Sequence, residues 1–215
     1  MENWFSRQRV VVLSLVVVLA GAGTYFYQRH MESKDQEGKA ALYKVQKVFE
    51  EELKAIPEAE RAPGLSLDVD VKFSKTVAEL KGLIAAKSAG AQPLFEAAFR
   101  LGTLYLDFKQ PEKAAAALSS GIQFAKSGLQ KASMQYLLGS ALEQSLKLKE
   151  ALSAFQEGMA QNVGALKADL LLAQLRTHVQ LKELDQAKKI SEELAKDFPG
   201  SKAADSASRY LKEAK

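Results

Sequence analysis

Residues 97–118, AAFRLGTLYLDFKQPEKAAAAL, and residues 134–155, MQYLLGSALEQSLKLKEALSAF, carry one pattern in the same frame. Leu101-Gly102 precedes Ala114 as Leu138-Gly139 precedes Ala151. The frame recurs about every 36–37 residues, and a third copy puts Ala187 and Pro199 where it predicts them. A period of this length marks a solenoid of stacked helical hairpins, in which no unit buries its apolar face alone. Such arrays are mostly binding surfaces, so the question becomes which partner rather than which reaction.

Apolar spacing predicts paired helices near 94–107 and 111–127, 130–146 and 149–161, and 165–181 and 184–197. Pro199-Gly200 stops the chain, and Ser201 can cap a last helix reaching Lys215. That helix turns Ala204, Ala207, Tyr210 and Leu211 inward and keeps its other face charged, as a terminal cap must. Upstream, Val77, Leu80, Leu83 and Ile84 give a helix from Ser74 to Lys87, and Leu42, Val45, Val48, Phe49 and Leu53 one from Lys39 to Ala55. Pro57 and Pro63-Gly64 break the chain between them.

Residues 65–73 alternate strictly, with Leu65, Leu67, Val69, Val71 and Phe73 against Ser66, Asp68, Asp70 and Lys72. This period suits either an extended connector with one edge on the helices or a strand open to edge pairing. Asp68-x-Asp70 reads as solvated carboxylates, because two acids on one face without further ligands do not make a metal site.

The units resemble tetratricopeptide repeats. The first matches through Leu101, Gly102, Tyr105, Ala114 and Leu118, and the second through Leu138, Gly139, Leu142, Ala151 and Phe155. The third keeps Ala187 and Pro199 but has Gln174-Leu175 in place of Leu-Gly, and residues 39–87 make a degenerate first unit. Small residues at Gly102, Ala114, Gly139 and Ala151 allow close helix crossings. The resemblance implies an inner groove lined by Phe99, Thr103 and Leu106, by Tyr136, Ser140 and Glu143, and by Leu172, Arg176 and Val179. Phe99, Leu172 and Val179 are equally consistent with packing inside the array. The mixture suits a peptide or a helix of another protein. The Lys/Asn clamp by which some relatives grip carboxyl-terminal peptides has no counterpart, since its positions read Phe99, Thr103, Leu137, Asp169 and Ala173.

Val10 to Tyr27, VVVLSLVVVLAGAGTYFY, is free of charge. Eighteen helical residues at 1.5 Å each span roughly 27 Å, close to the bilayer's hydrocarbon thickness. Trp4 and Phe5 precede the run, and Tyr25, Phe26 and Tyr27 close it, as rings do at headgroup level. Arg7 and Arg9 favour a cytoplasmic amino terminus, which puts the rest of the chain outside the cytoplasm. Ala20-Gly21-Ala22 also has the form of a signal-peptidase site, and cleavage after Ala22 would release a soluble protein starting at Gly23.

The net charge is +4, yet past residue 30 there are 27 Lys and Arg against 25 Asp and Glu, which leaves no basic face for a nucleic acid. Cysteine is absent, which rules out disulfides and thiol chemistry. Neither His30 nor His178 has a second histidine or a cysteine close in sequence, and no phosphate loop or nucleophile elbow occurs. No enzyme, cofactor or metal is expected.

The expected chain is therefore all-α, an N-terminal transmembrane helix followed by an α-α superhelical tetratricopeptide-like solenoid. Its parts are a cytoplasmic leader (1–9), an anchor (10–27), a linker (28–38), repeats (39–200, clear from about 94) and a capping helix (201–215). This plan resembles the bacterial ancillary subunits of the Sec translocon and the repeat domain of the periplasmic cell-division coordinator of the Tol–Pal system. The resemblance implies an inner-membrane, single-pass protein with its repeats in the periplasm. It would touch the lipid bilayer through residues 10–27 and contact translocon or chaperone components in protein traffic. The alternative is a signal-cleaved periplasmic adaptor of envelope or division machinery.

Overall fold

The computed structural model describes residues 2–62 and 64–214, with side chains from residue 24 onward. Ten α-helices follow one another, and no strand occurs among the described residues. The first, α1 (Glu2–Ala55), continues without a break through residues 28–38, expected as a linker. That stretch holds no proline, and bonds one turn apart support it: Arg29 donates to Tyr25 Oη at 3.3 Å and Ser33 to Glu37 Oε1 at 3.2 Å. Of the expected membrane span, residues 10–23 and the cleavage site within them lie outside the described side chains. Among the described residues no helix is long and apolar enough to cross a membrane.

Helix α1 ends before Pro57, which cannot continue it. Arg61 folds back to satisfy its last carbonyls, donating Nε to Ile56 O at 2.7 Å and Nη2 to Lys54 O at 3.1 Å. The alternating segment that follows is neither strand nor wholly extended. Asp68 accepts the Asp70 amide at 3.1 Å and so caps a single turn, α2 (Val69–Lys72). In a helical turn Val69 and Phe73 share a face, and both are fully buried, whereas Val71 is left 66 % exposed.

The remaining helices pair in order. Helix α3 (Ser74–Ala86) packs on α1, α4 (Ala91–Asp107) pairs with α5 (Pro111–Gly121), and α6 (Gly128–Gln144) with α7 (Leu148–Met159). Helix α8 (Gly164–Gln180) pairs with α9 (Leu184–Asp197), and α10 (Lys202–Glu213), capped by Ser201, closes the end against both. The degenerate first unit is thus a real hairpin of α1 and α3. The stack at Phe49 and Phe73 (5.3 Å between centroids) and Glu52, which accepts the Lys75 and Thr76 amides, hold it.

Each later hairpin turns in the same way. Lys109, Leu146 and Lys182 adopt left-handed backbone (φ 54°, 59° and 62°). After each, the next amide reaches back to Tyr105, Leu142 or His178 O at 2.8–2.9 Å, while the residue's own amide donates to Leu106, Glu143 or Val179 O at 3.0–3.1 Å. This double closure is the Schellman helix stop. Beyond the turns, Ala114, Ala151 and Ala187 are fully buried at the crossings. A Cβ on Gly102 would meet Leu118, and one on Gly139 would meet the Phe155 ring. In the third unit the sizes are exchanged: buried Leu175 stands where the glycines stand, and Ser191 where Leu118 and Phe155 stand.

Candidate protein-binding groove

The first helices of the units pack side by side, α1 on α4, α4 on α6, α6 on α8 and α8 on α10. The second helices pack chiefly on first helices. The array therefore closes toward its first helices, and their free face is the inner one.

Where α4 meets α6, this face opens into a hollow of about 480 Å³. Phe95 and Phe99 line it with rings 5.9 Å apart, and Leu129 contributes an apolar side chain that is 53 % exposed. Local capping puts Leu129 there. Ser127 Oγ accepts the Gln130 amide at 3.2 Å, and Gln130 Oε1 accepts the Lys126 and Ser127 amides at 2.7 and 3.2 Å. Gln130 Nε2 then donates to Gln92 Oε1 at 2.6 Å, which ties the start of α6 to the start of α4. Leu129 is left as the apolar residue of a wet first turn.

Arg100 forms the rim toward α1. It donates Nε and Nη2 to Glu96 Oε1 at 3.0 and 2.5 Å, and Nη1 to Gln46 Oε1 at 3.0 Å. A second hollow, of about 420 Å³, lies between α6 and α8, beside Ser140, Glu143, Arg176 and Gln180. Glu143 is only 5 % exposed. Both of its oxygens are taken, Oε1 by Arg176 Nε at 2.8 Å and Gln180 Nε2 at 2.6 Å, and Oε2 by Arg176 Nη2. The hydrogen bonds to Glu143 raise the Arg176 guanidinium well above its ordinary value, against the opposing effect of burial.

The sequence-predicted groove residues divide between these places. Phe99 lines the α4–α6 hollow, Thr103 a smaller pocket toward α1, and Ser140, Glu143 and Arg176 the α6–α8 hollow. The hydroxyls of Thr103 and Ser140 bond within their own helices, to Phe99 O and Tyr136 O. Leu106, Tyr136, Leu172 and Val179 are half-buried and packed against core clusters. Leu129, Gln130, Gln92 and Arg100 were not picked out from the sequence. An apolar residue inside a Ser-x-x-Gln cap, directly before the glutamine, is the signal that would have found Leu129.

On the outer side, Asp70 is more than a solvated carboxylate. It accepts from Lys81 Nζ at 3.0 Å, Lys113 Nζ at 2.5 Å and Tyr105 Oη at 2.8 Å. Burial alone would raise its pKa, but these bonds together hold it at about 2. His178 Nδ1 lies 2.7 Å from Glu183 Oε2 across the α8–α9 turn. Among the described residues no three His, Asp or Glu stand close enough together to hold a metal.

No protein-family model matches the sequence, and a search of the curated proteins finds no match. Among solved structures, the crystal structure of MamA, a tetratricopeptide-like protein, is similar at a TM-score of 0.50 and 21 % identity. The similarity covers 68 % of this chain and 88 % of that one. It agrees with the hairpin order described above, and the chain has a tetratricopeptide-like α-solenoid fold.

Proposed function

We propose that this chain is a scaffold that holds another protein along the inner face of its array. It would be anchored in a bacterial inner membrane through residues 10–27, with its repeats in the periplasm, assisting protein traffic beside the translocon or passing clients to chaperones. The open hollow at Phe99 and Leu129 carries the binding part of this reading. The exposed Leu129 beside the half-buried Phe99, bordered by the Gln92–Gln130 and Glu96–Arg100 pairs, suits a peptide or helix of a partner. An enzyme would need titratable groups converging on a hollow. The Glu143–Arg176 pair and Asp70 are spent on joining helices.

Two observations support the anchor. Tyr25, Phe26 and Tyr27 are 56–69 % exposed on a helix that runs on into the array, as suits rings seated at a lipid headgroup layer. The same helix is then clamped to the array. Gly38 meets Pro93 and Ala89 so closely that a Cβ on it would lie 2.5–2.7 Å from theirs.

A photo-crosslinking residue at position 129, in intact membranes, tests the reading, with position 149 on α7 as the outward control. Crosslinks to translocon or chaperone components from 129 and not from 149 are expected. Equal labelling from both positions removes the groove as the binding face. The alternative, a cleaved periplasmic adaptor of envelope or division machinery, requires that the mature chain begin at Gly23, which intact mass decides.

A further inference from the structure

Next to the groove, between α1, α3 and α4, lies a pocket of about 160 Å³ walled by Val45, Phe49, Leu80 and Leu104. Sites for small molecules usually occupy roughly 300–1,000 Å³, so this one suits a single inserted side chain. Four polar groups border it apart from Thr103, whose hydroxyl is used within its own helix, and of these Gln46 is engaged by Glu50 and Arg100. Arg100 is already engaged by Glu96 and Gln46, and its charge is balanced by Glu96. Thr76 is 2 % exposed, and its Oγ1 has no hydrogen-bond partner. Asp107, at the end of α4, makes no side-chain hydrogen bond or ion pair among the described residues.

We propose that this pocket seats a lysine or arginine side chain of the protein held in the groove. The inference rests on the groove reading above and adds the chemistry of its partner. The uncompensated charge at the pocket is the Asp107 carboxylate, and the walls below it are apolar. A long basic side chain matches both features, with its methylenes against Val45, Phe49, Leu80 and Leu104 and its cation at Asp107. A neutral aliphatic side chain would fill the walls and leave the carboxylate alone, and an acidic one would oppose it. Asp107 is exposed at the mouth of the pocket, and partial desolvation raises its carboxyl above its ordinary value. The pocket and the Phe95–Phe99 hollow both border on Arg100, so an extended segment crossing α4 reaches the two together.

The test uses the full chain in detergent micelles and three blocked, fluorescein-labelled nonapeptides. They are identical in their phenylalanine, leucine and serine residues and carry lysine, norleucine or glutamate at the centre. Fluorescence anisotropy should show the lysine peptide binding about tenfold more tightly than the norleucine peptide, and the glutamate peptide more weakly than both. In D107N the lysine preference over norleucine should vanish. Equal binding of lysine and norleucine peptides to the wild-type chain overturns the inference and leaves the groove reading intact. A lysine preference that survives in D107N also overturns it. Failure of every peptide to bind removes the groove reading itself, and the pocket's role with it.

Discussion

Arg176 on α8 grips Glu143 on α6 through two hydrogen bonds, and the carboxylate it holds is almost wholly buried. The pair joins neighbouring first helices on the inner face, where apolar packing alone would leave their relative slide less constrained. Breaking such a pair from one side strands a buried charge, which costs about 3–5 kcal/mol in a dry interior. Arg176 is 30 % exposed, so solvent screening reduces this. Arg176→Met is expected to destabilise the chain by about 2–3 kcal/mol in urea unfolding. The double variant with Glu143→Leu should recover most of that loss, because an apolar pair leaves no charge unpaired. A single variant as stable as the parent would show that the pair contributes nothing.

Asp70 makes the array sensitive to acid. Its folded pKa of about 2 lies below its ordinary 3.8, so the unfolded chain takes up the proton first. The stabilisation is therefore complete above about pH 5, shrinks as the pH falls, and is gone below about pH 2. Lys81 and Lys113 are about half exposed, and after discounting for screening the effect is about 1–2 kcal/mol. Other carboxylates titrate in the same window, so the measurement is a difference. Stability followed from pH 6 to pH 2 should fall more steeply in the parent than in Asp70→Asn. Parallel curves would remove Asp70 from the account.

Leu146 occupies a left-handed position that a glycine would take without strain, and its side chain is 78 % exposed. Relief of the Cβ conflict outweighs the extra freedom glycine gives the unfolded chain. Leu146→Gly is expected to raise stability by about 0.5–1 kcal/mol, while Leu146→Val should lower it, since a β-branched residue tolerates positive φ poorly. Thermal melts of the three proteins decide this. A glycine variant less stable than the parent would mean that Leu146 makes packing contacts worth more than the strain.

The sequence was most legible where one residue type answers one steric need. Gly102 and Gly139 announce the crossings because nothing larger fits against Leu118 and Phe155. The third unit hid itself by exchanging the two sides, with Leu175 filling from α8 the space that its neighbours fill from their second helices. Its turn at Lys182 keeps the same backbone closure, but lysine gives no hint of positive φ. At residues 65–73 the period-two pattern misled, because a single Asp68 cap converts alternation into a turn of helix. The partner pocket was out of reach for another reason. Thr76 and Asp107 come to line one pocket through the packing of α1 and α3 on α4, and the α1–α3 unit lacks the repeat's marker residues. Glu143 was placed on the inner face, but a buried ion pair and a free groove carboxylate have the same sequence spacing.

The unbroken helix between Tyr25 and Gly38 makes a further prediction about how the groove is presented. Arg29–Tyr25 and Ser33–Glu37 bonds stiffen the segment, and the Gly38–Pro93 contact locks its far end. If residues 10–27 are anchored as proposed, the array is mounted on a stalk with a defined rotation, not on a loose tether. At about 3.6 residues per turn, inserting two alanines after Arg29 rotates the groove by roughly 200°, and inserting seven restores its phase within about 20° while raising it roughly 10 Å. Crosslinking from position 129 to a membrane-bound partner should therefore collapse with two added residues and return with seven. Replacing residues 29–34 by glycine and serine should give an intermediate yield that no longer depends on insertion length. Equal yields across the alanine series would show that the stalk sets neither rotation nor reach.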